Sequence, residues 1–136
     1  AGESPQAAAL RELHEEIGLV LPPEASLGTL DDYATRSGFA ITPVVFWGGI
    51  TPPLAPNAAE VEKAYVVPVD DLDRPEIPEL RTIPESDRPV LSLPIPMLGT
   101  SIHAPTAAVL FQLREVALHG RATRVAHFEQ PVFAWK

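Results

Sequence analysis

Cysteine is absent from the 136 residues, and with it go disulfides, thiolate metal sites and cysteine nucleophiles. That absence fits a reducing, cytoplasmic setting. Basic residues are scarce: ten Lys+Arg stand against eighteen Asp+Glu, a net charge of −8. This is the wrong sign for a protein that grips a phosphate backbone, so nucleic acid is not an expected partner. No apolar run approaches the roughly 18 residues of a transmembrane helix, and the N-terminus lacks the basic-then-apolar order of a signal peptide. No membrane partner is expected either. A glycine-rich phosphate loop is also missing. Proline, by contrast, is abundant at 16 of 136 residues, against an average of about 5 %, and it implies long, stiffened loops. Hydrophobic residues make up 46 %, enough for a packed core, and the length suits a single domain over 1–136.

Two helices stand out. Ser4 is a good N-cap, Pro5 suits the first helical position, and Gly18 can end the helix in a left-handed conformation, which sets its limits at about 4–17. Leu10, Leu13 and Ile17 recur at i, i+3, i+7, the spacing of one buried stripe. A second helix spans about 106–119, with Ala107, Val109, Leu110, Leu113, Val116 and Ala117 largely on one face and Gly120 closing it. Between them, residues 26–48 read as a hairpin turning at Arg36-Ser37-Gly38. Thr51 to Asn57, with three prolines, is a loop. Glu62 to Val69 reads as a strand ending in the acidic turn Asp70-Asp71-Leu72-Asp73. From Arg74 to Pro96 the prolines exclude helix, and Val90 to Ile95 is the best strand there. Residues 121–136 read as a tail with a possible strand near Val132 to Trp135. The class implied is α/β (α+β).

Glu12, Glu15 and Glu16 stand at i, i+3, i+4 and project within one sector of the first helix. Three like charges repel one another, and they sit near a helix C-terminus, where the macrodipole disfavours anions. A hard divalent cation bound by oxygen would reverse that balance. On spacing alone an ordinary solvated acidic face is the plainer reading.

The wider pattern is more specific. Glu3, seven residues, Arg11-Glu12-Leu13, one residue, Glu15-Glu16, one residue and Gly18-Leu19 resemble the Nudix box, G-x5-E-x7-R-E-U-x-E-E-x-G-U with U aliphatic. The leading glycine would fall before Ala1. The resemblance implies an αβα sandwich with a mixed sheet whose first strands precede the box, so the chain is expected to be the C-terminal part of a longer protein. It implies that Glu12, Glu15 and Glu16 hold Mg2+ (or Mn2+) on a diphosphate, with Glu15 and Glu16 catalytic. It also implies that Glu3 and Arg11 brace the loop and helix, while Gly18 lets the chain turn out of the helix. Metal ions would neutralise phosphate oxygens, lower the pKa of a bound water and stabilise the leaving phosphate.

Leu27 to Ile50, Asn57-Ala58-Ala59-Glu60-Val61, Tyr65 to Val69 and Ile102-His103-Ala104-Pro105-Thr106-Ala107 are similar to the coenzyme A pyrophosphatase branch, with His103 and Pro105 departing from its pattern. That branch implies hydrolysis of coenzyme A or an acyl derivative to 3′,5′-ADP and 4′-phosphopantetheine. ADP-ribose, dinucleotides or nucleotide sugars are the rival substrates, and a non-catalytic ligand sensor is the rival class. Glu60 matches the branch's Asn-x-x-Glu-Val position and is the candidate fourth ligand or general base, with Glu62 close by. Arg36 is a weak candidate for an extra 3′-phosphate; a solvated turn residue is the plainer reading. His14, His103, His119 and His127 have no ligand spacing and read as structural or surface groups. Asp31, Asp32, Asp70, Asp71 and Asp73 read as turn residues, and Ser86 and Ser92 lack nucleophile context. Trp47 and Trp135 read as core or interface. A small-molecule nucleotide is the expected partner, with a homodimer possible through Arg74 to Pro96 and the tail.

Overall fold

The computed structural model describes residues 2–135. Its elements are α1 (Pro5–Ile17), β1 (Ser26–Thr29), β2 (Tyr33–Ala34), β3 (Ala40–Ile41), β4 (Val44–Phe46), β5 (Glu79–Ile83), β6 (Ser86–Ile95), β7 (Thr100–His103) and α2 (Thr106–Leu113). Helices combined with antiparallel strand pairs make this an α+β protein, the class read from the sequence. Among the described residues no helix is long and apolar enough to cross a membrane. The chain falls into two compact units. One comprises the residues up to Thr29 with Val44–Val66, the other Leu30–Pro43 with the residues from Val67 onward.

The first unit is built on α1. The Ser4 side chain accepts the Ala7 N–H at 3.1 Å, Pro5 opens the helix, and Gly18 closes it at φ +69°. β1 and β4 pair antiparallel with a bulge between Ser26 and Gly28. Thr51 to Asn57 forms a loop. The Leu10–Leu13–Ile17 stripe is half-buried rather than buried, because Leu13 and Ile17 line a cavity instead of a filled core.

In the second unit, β2 and β3 form a short hairpin, with Gly38 at φ +96° in the turn. The expected 26–48 hairpin is thus two strand pairs, split where Leu30 N–H donates to the Pro43 carbonyl. The three-stranded sheet runs β5-β6-β7 with β6 central. β5 pairs with β6 over Ser86 to Ser92, and β7 pairs with it from Ser92 to Ile95. Pro89 and Pro94 therefore each meet a named strand on one side only, where a missing N–H is tolerated. Leu91, Leu93 and Ile95 are fully buried, and α2 lays Ala107, Ala108 and Phe111 on them. Helical backbone continues past α2 as a π-turn over Arg114–Leu118, and Gly120 follows at φ +62°.

Three further expectations are corrected. Residues 62–69 form no strand: they make no ladder, and Tyr65 and Val66 are largely exposed. Residues Val132–Ala134 form a 3-10 turn after Pro131 instead of a strand. The segment 121–135 is no tail, since Val125 and Phe128 belong to the buried core and Val90 bridges Glu129 in parallel.

Candidate active site

Within the first unit, α1 carries the acidic cluster. Arg11 organises it from the side: its Nε donates to Glu3 Oε2 at 3.0 Å, its Nη2 to Glu3 Oε1 at 3.0 Å, and its Nη1 to Glu15 Oε2 at 3.1 Å. The guanidinium beside Glu3 holds that carboxyl below the usual range, and the same contacts raise Arg11 further. Glu12 and Glu16, one turn apart, line a cavity of about 270 Å3 whose remaining wall is Ala9, Leu13, Ile17, Val44, Phe46 and Val61. Two carboxylates thus face a mostly apolar hollow, the composition of a ligand pocket with few placed polar groups.

The C-terminal turn of α1 is closed by the proline-rich loop. Ala55 N–H donates to the Ile17 carbonyl and Asn57 N–H to the Glu16 carbonyl, both at 2.8 Å. Carbonyls that a helix end leaves unpaired are thereby covered, and the negative pole beneath Glu15 and Glu16 is reduced. Gly18 is required by this closure: a Cβ there would come within 2.9 Å of Ala55 Cβ. Asn57 also folds the following turn by accepting Ala59 N–H on its side chain and Val61 N–H on its backbone. Glu60 lies in that turn, 3.5 Å from Asn57 Nδ2 and next in sequence to the cavity residue Val61.

The donor set on α1 is all carboxylate, which suits a hard divalent cation. Among the described residues no three such side chains already gather into a cage, and Glu15 is held by Arg11. Glu12 and Glu16 on the cavity would hold the ion together with Glu15, of which Arg11 engages only the Oε2 oxygen.

The other candidates have settings of their own. Arg36, in the second unit, is no free turn residue: it is paired with Glu129, and its guanidinium lies 3.9 Å from the Trp135 ring centre. His119 Nε2 meets Asp73 at 2.7 Å, His103 packs edge-on to Phe133, and His127 lies against Phe128. His14 is exposed on α1. Asp31 accepts from Arg124 and Asp32 from the Thr42 hydroxyl. Asp70 and Asp71 lie in the Val69–Leu72 turn. Glu62 has no partner among the described side chains. Trp47 is 71 % exposed, so it is not a core residue.

Sequence reasoning missed Glu129, Arg88 and Gln112. Glu129 is 1 % exposed and receives both Arg36 and Arg88. Gln112, also buried, accepts Asp31 N–H and donates to the Thr123 carbonyl. No local signal marks such residues, because their partners lie far away in the chain.

A family model described as NUDIX domain matches residues 1–92 of the 136. The chain belongs to the NUDIX family, a family of hydrolases acting on the diphosphate bonds of nucleoside-diphosphate derivatives. No curated protein matches it.

Proposed function

We propose that the chain belongs to a divalent-metal-dependent hydrolase that cleaves coenzyme A or acyl-coenzyme A to 3′,5′-ADP and (acyl-)4′-phosphopantetheine. The observation carrying the diphosphatase reading is the pairing of Glu12 and Glu16 on one cavity beside a box helix closed at its acidic end. The coenzyme A reading rests on the resemblance of residues 27–69 and 102–107 to that branch.

The chemistry follows from charge. A diphosphate presents several negative oxygens to an approaching water, so attack at phosphorus is slow without nearby positive charge. Mg2+ or Mn2+, when bound by Glu12, Glu15 and Glu16, supplies that charge and acidifies water. Arg11 has the complementary task of holding Glu15 in the helix register through the ion pair at 3.1 Å. Glu60 is positioned by Asn57 and would take the proton of the attacking water. Oxygen from water bonds to one phosphorus, the bridging P–O bond breaks, and the bridging oxygen leaves on the other phosphate. Such a reaction suits a cytoplasmic enzyme with a small nucleotide substrate and no membrane or nucleic-acid partner, and the protein can act as a homodimer.

Products from coenzyme A, acetyl-coenzyme A, ADP-ribose, NADH and a diadenosine polyphosphate, incubated with Mg2+ and the full-length protein, test this directly. Fastest release of 3′,5′-ADP from a coenzyme A substrate is expected. Faster cleavage of another compound discards the branch, and binding without turnover moves the protein to the sensor class.

A further inference from the structure

In the second unit Glu129 is almost completely removed from solvent, at 1 % exposure, and two arginines converge on it. Arg36 donates from Nε at 3.1 Å and also from Nη2. Arg88 donates from Nη2 at 3.0 Å. The Gln130 N–H adds a further donor at 3.0 Å. One buried carboxylate needs one cation for neutrality, and Arg36 alone supplies it in bidentate form. Arg88 is therefore in excess over Glu129, and among the described residues these three side chains sum to one positive charge, on a chain whose net charge is −8.

That charge is displayed rather than hidden. The Arg36 and Arg88 side chains are 36 % and 40 % exposed. An arginine has five N–H donors, and among the described residues Arg36 Nη1 and Arg88 Nε have no partner. Both guanidiniums are also fixed in place. Arg36 lies over the Trp135 ring, itself held by its Nε1–H on the Gln130 carbonyl at 2.8 Å. Arg88 is held at its other end by the Ala126 carbonyl. Free surface arginines lose side-chain entropy when they bind, whereas these two have already lost it.

We propose that Arg36 and Arg88 form an anion site for a phosphomonoester dianion, with Glu129 and Trp135 as the frame that aims them. The N–H groups left over, on Arg36 Nη1 and Arg88 Nε, are charged donors of the kind that the oxygens of a terminal phosphate accept. Glu129 and Trp135 lie outside residues 1–92, so the frame is supplied by a part of the chain that the family match does not cover. The site goes beyond the proposed diphosphatase activity and does not depend on which bond is cleaved.

The test is a titration of the full-length protein, free of divalent metal, with inorganic phosphate. It is followed through the Trp135 indole N–H and the arginine Nε–H signals in 15N NMR. A saturable shift of these signals is expected, weakened about tenfold or more in Arg88→Ala, where Glu129 keeps Arg36. Should Arg88→Ala fail to fold, Arg88→Gln is expected to show the same loss. Absence of a saturable shift at millimolar phosphate, or unchanged affinity in the folded variant, overturns the site. A parallel titration with 3′,5′-ADP separates the sources. Tighter binding than inorganic phosphate on the same signals assigns a nucleotide phosphate, and equal binding assigns the free ion. Because no turnover is read, a failure of the coenzyme A assignment leaves this result unaffected.

Discussion

The backbone N–H of Asn57 donates to the carbonyl of Glu16 at 2.8 Å, so the loop that carries Glu60 is tied to the helix end that carries the acidic cluster. With Ala55 on Ile17, the tie answers a local conflict. Anionic side chains near a helix C-terminus face the negative pole of the backbone, and two N–H groups at the last carbonyls offset part of it.

Gly18→Ala therefore does two things. It places a side chain at φ +69° and drives its Cβ toward Ala55. The left-handed conformation alone costs about 1–2 kcal/mol, and displacement of the loop adds to that. Urea unfolding is expected to show a loss of at least this size. A midpoint equal to the parent's would show that the loop does not depend on Gly18.

Arg11→Ala frees Glu3 and Glu15 together. Both contacts are solvent-exposed, so the unfolding midpoint is expected to move little. Turnover at limiting Mg2+ is expected to fall by about 10–100-fold, as for other residues that orient metal ligands. Arg11→Lys is expected to recover only part of it, because a point ammonium cannot reproduce the fork on Glu3. Full activity in Arg11→Ala would remove the orienting role.

Glu15→Gln keeps the shape of the side chain and removes its charge. Loss of Mg2+-dependent turnover by about 100-fold or more is expected, with a circular dichroism spectrum like the parent's. Chelation of the metal should produce the same loss in the parent protein. Near-normal activity in the variant would sink the metal assignment.

Acid should weaken the second unit through Glu129. Arg36 above all, then the Ser86 hydroxyl, the Gln130 N–H and Arg88, hold its carboxyl down to about 2 from an ordinary 4.5. A depressed folded-state pKa gives stability that is complete above 4.5 and disappears as pH falls through about 2. Its size is at most about 3 kcal/mol, and less after solvent screening of the two partly exposed guanidiniums. Asp31 and Asp73, both lowered by their partners, push in the same direction. The Glu129 carboxyl 13C shift followed from pH 6 to 2 is expected to report protonation only at the acid end, about pH 2. A midpoint near 4.5 would contradict the pairing.

Gln112→Leu tests a different kind of burial. Its amide accepts Asp31 N–H at 2.9 Å and donates to the Thr123 carbonyl at 3.1 Å. Leucine fills the space but leaves both backbone groups without a partner, at about 1–3 kcal/mol for each that stays dry. A matching fall in urea stability is expected, and an unchanged midpoint would mean that water replaces the side chain.

The limits of α1 were legible because Ser4, Pro5 and Gly18 act within one turn of themselves. Glu12, Glu15 and Glu16 were legible as a group for the same reason, since helical spacing is local. The turn at Gly38 and the core of α2 belong to this class too. Residues 62–69 misled because their β-branched and aromatic content is a preference for strand, whereas a strand exists only where a partner offers its ladder. Proline misled in the other direction. In the proline-rich stretch from Arg74 to Pro96 the best strand by sequence is Val90 to Ile95, whereas the staggered pairing of β5 and β7 admits Pro89 as well as Pro94 into one strand from Ser86 to Ile95. Glu129 could not be read at all. A lone glutamate before Gln130-Pro131 has no pattern, and its meaning comes from Arg36, 93 positions earlier.

That separation has a consequence for the order in which the molecule can be made. The Tyr33 hydroxyl donates to the Phe128 carbonyl across 95 positions, and Arg36 N–H reaches Gln130 across 94. Contacts that close such long loops form slowly. A ribosome adding about 5–20 residues per second delivers residue 36 several seconds before residue 129. Throughout that interval Arg36 has no carboxylate, Tyr33 has no acceptor, and the hairpin tip waits unsealed beside a nascent chain. Chaperone engagement is thus to be expected on ribosome-bound chains that stop short of residue 128 and to fade once 135 has emerged.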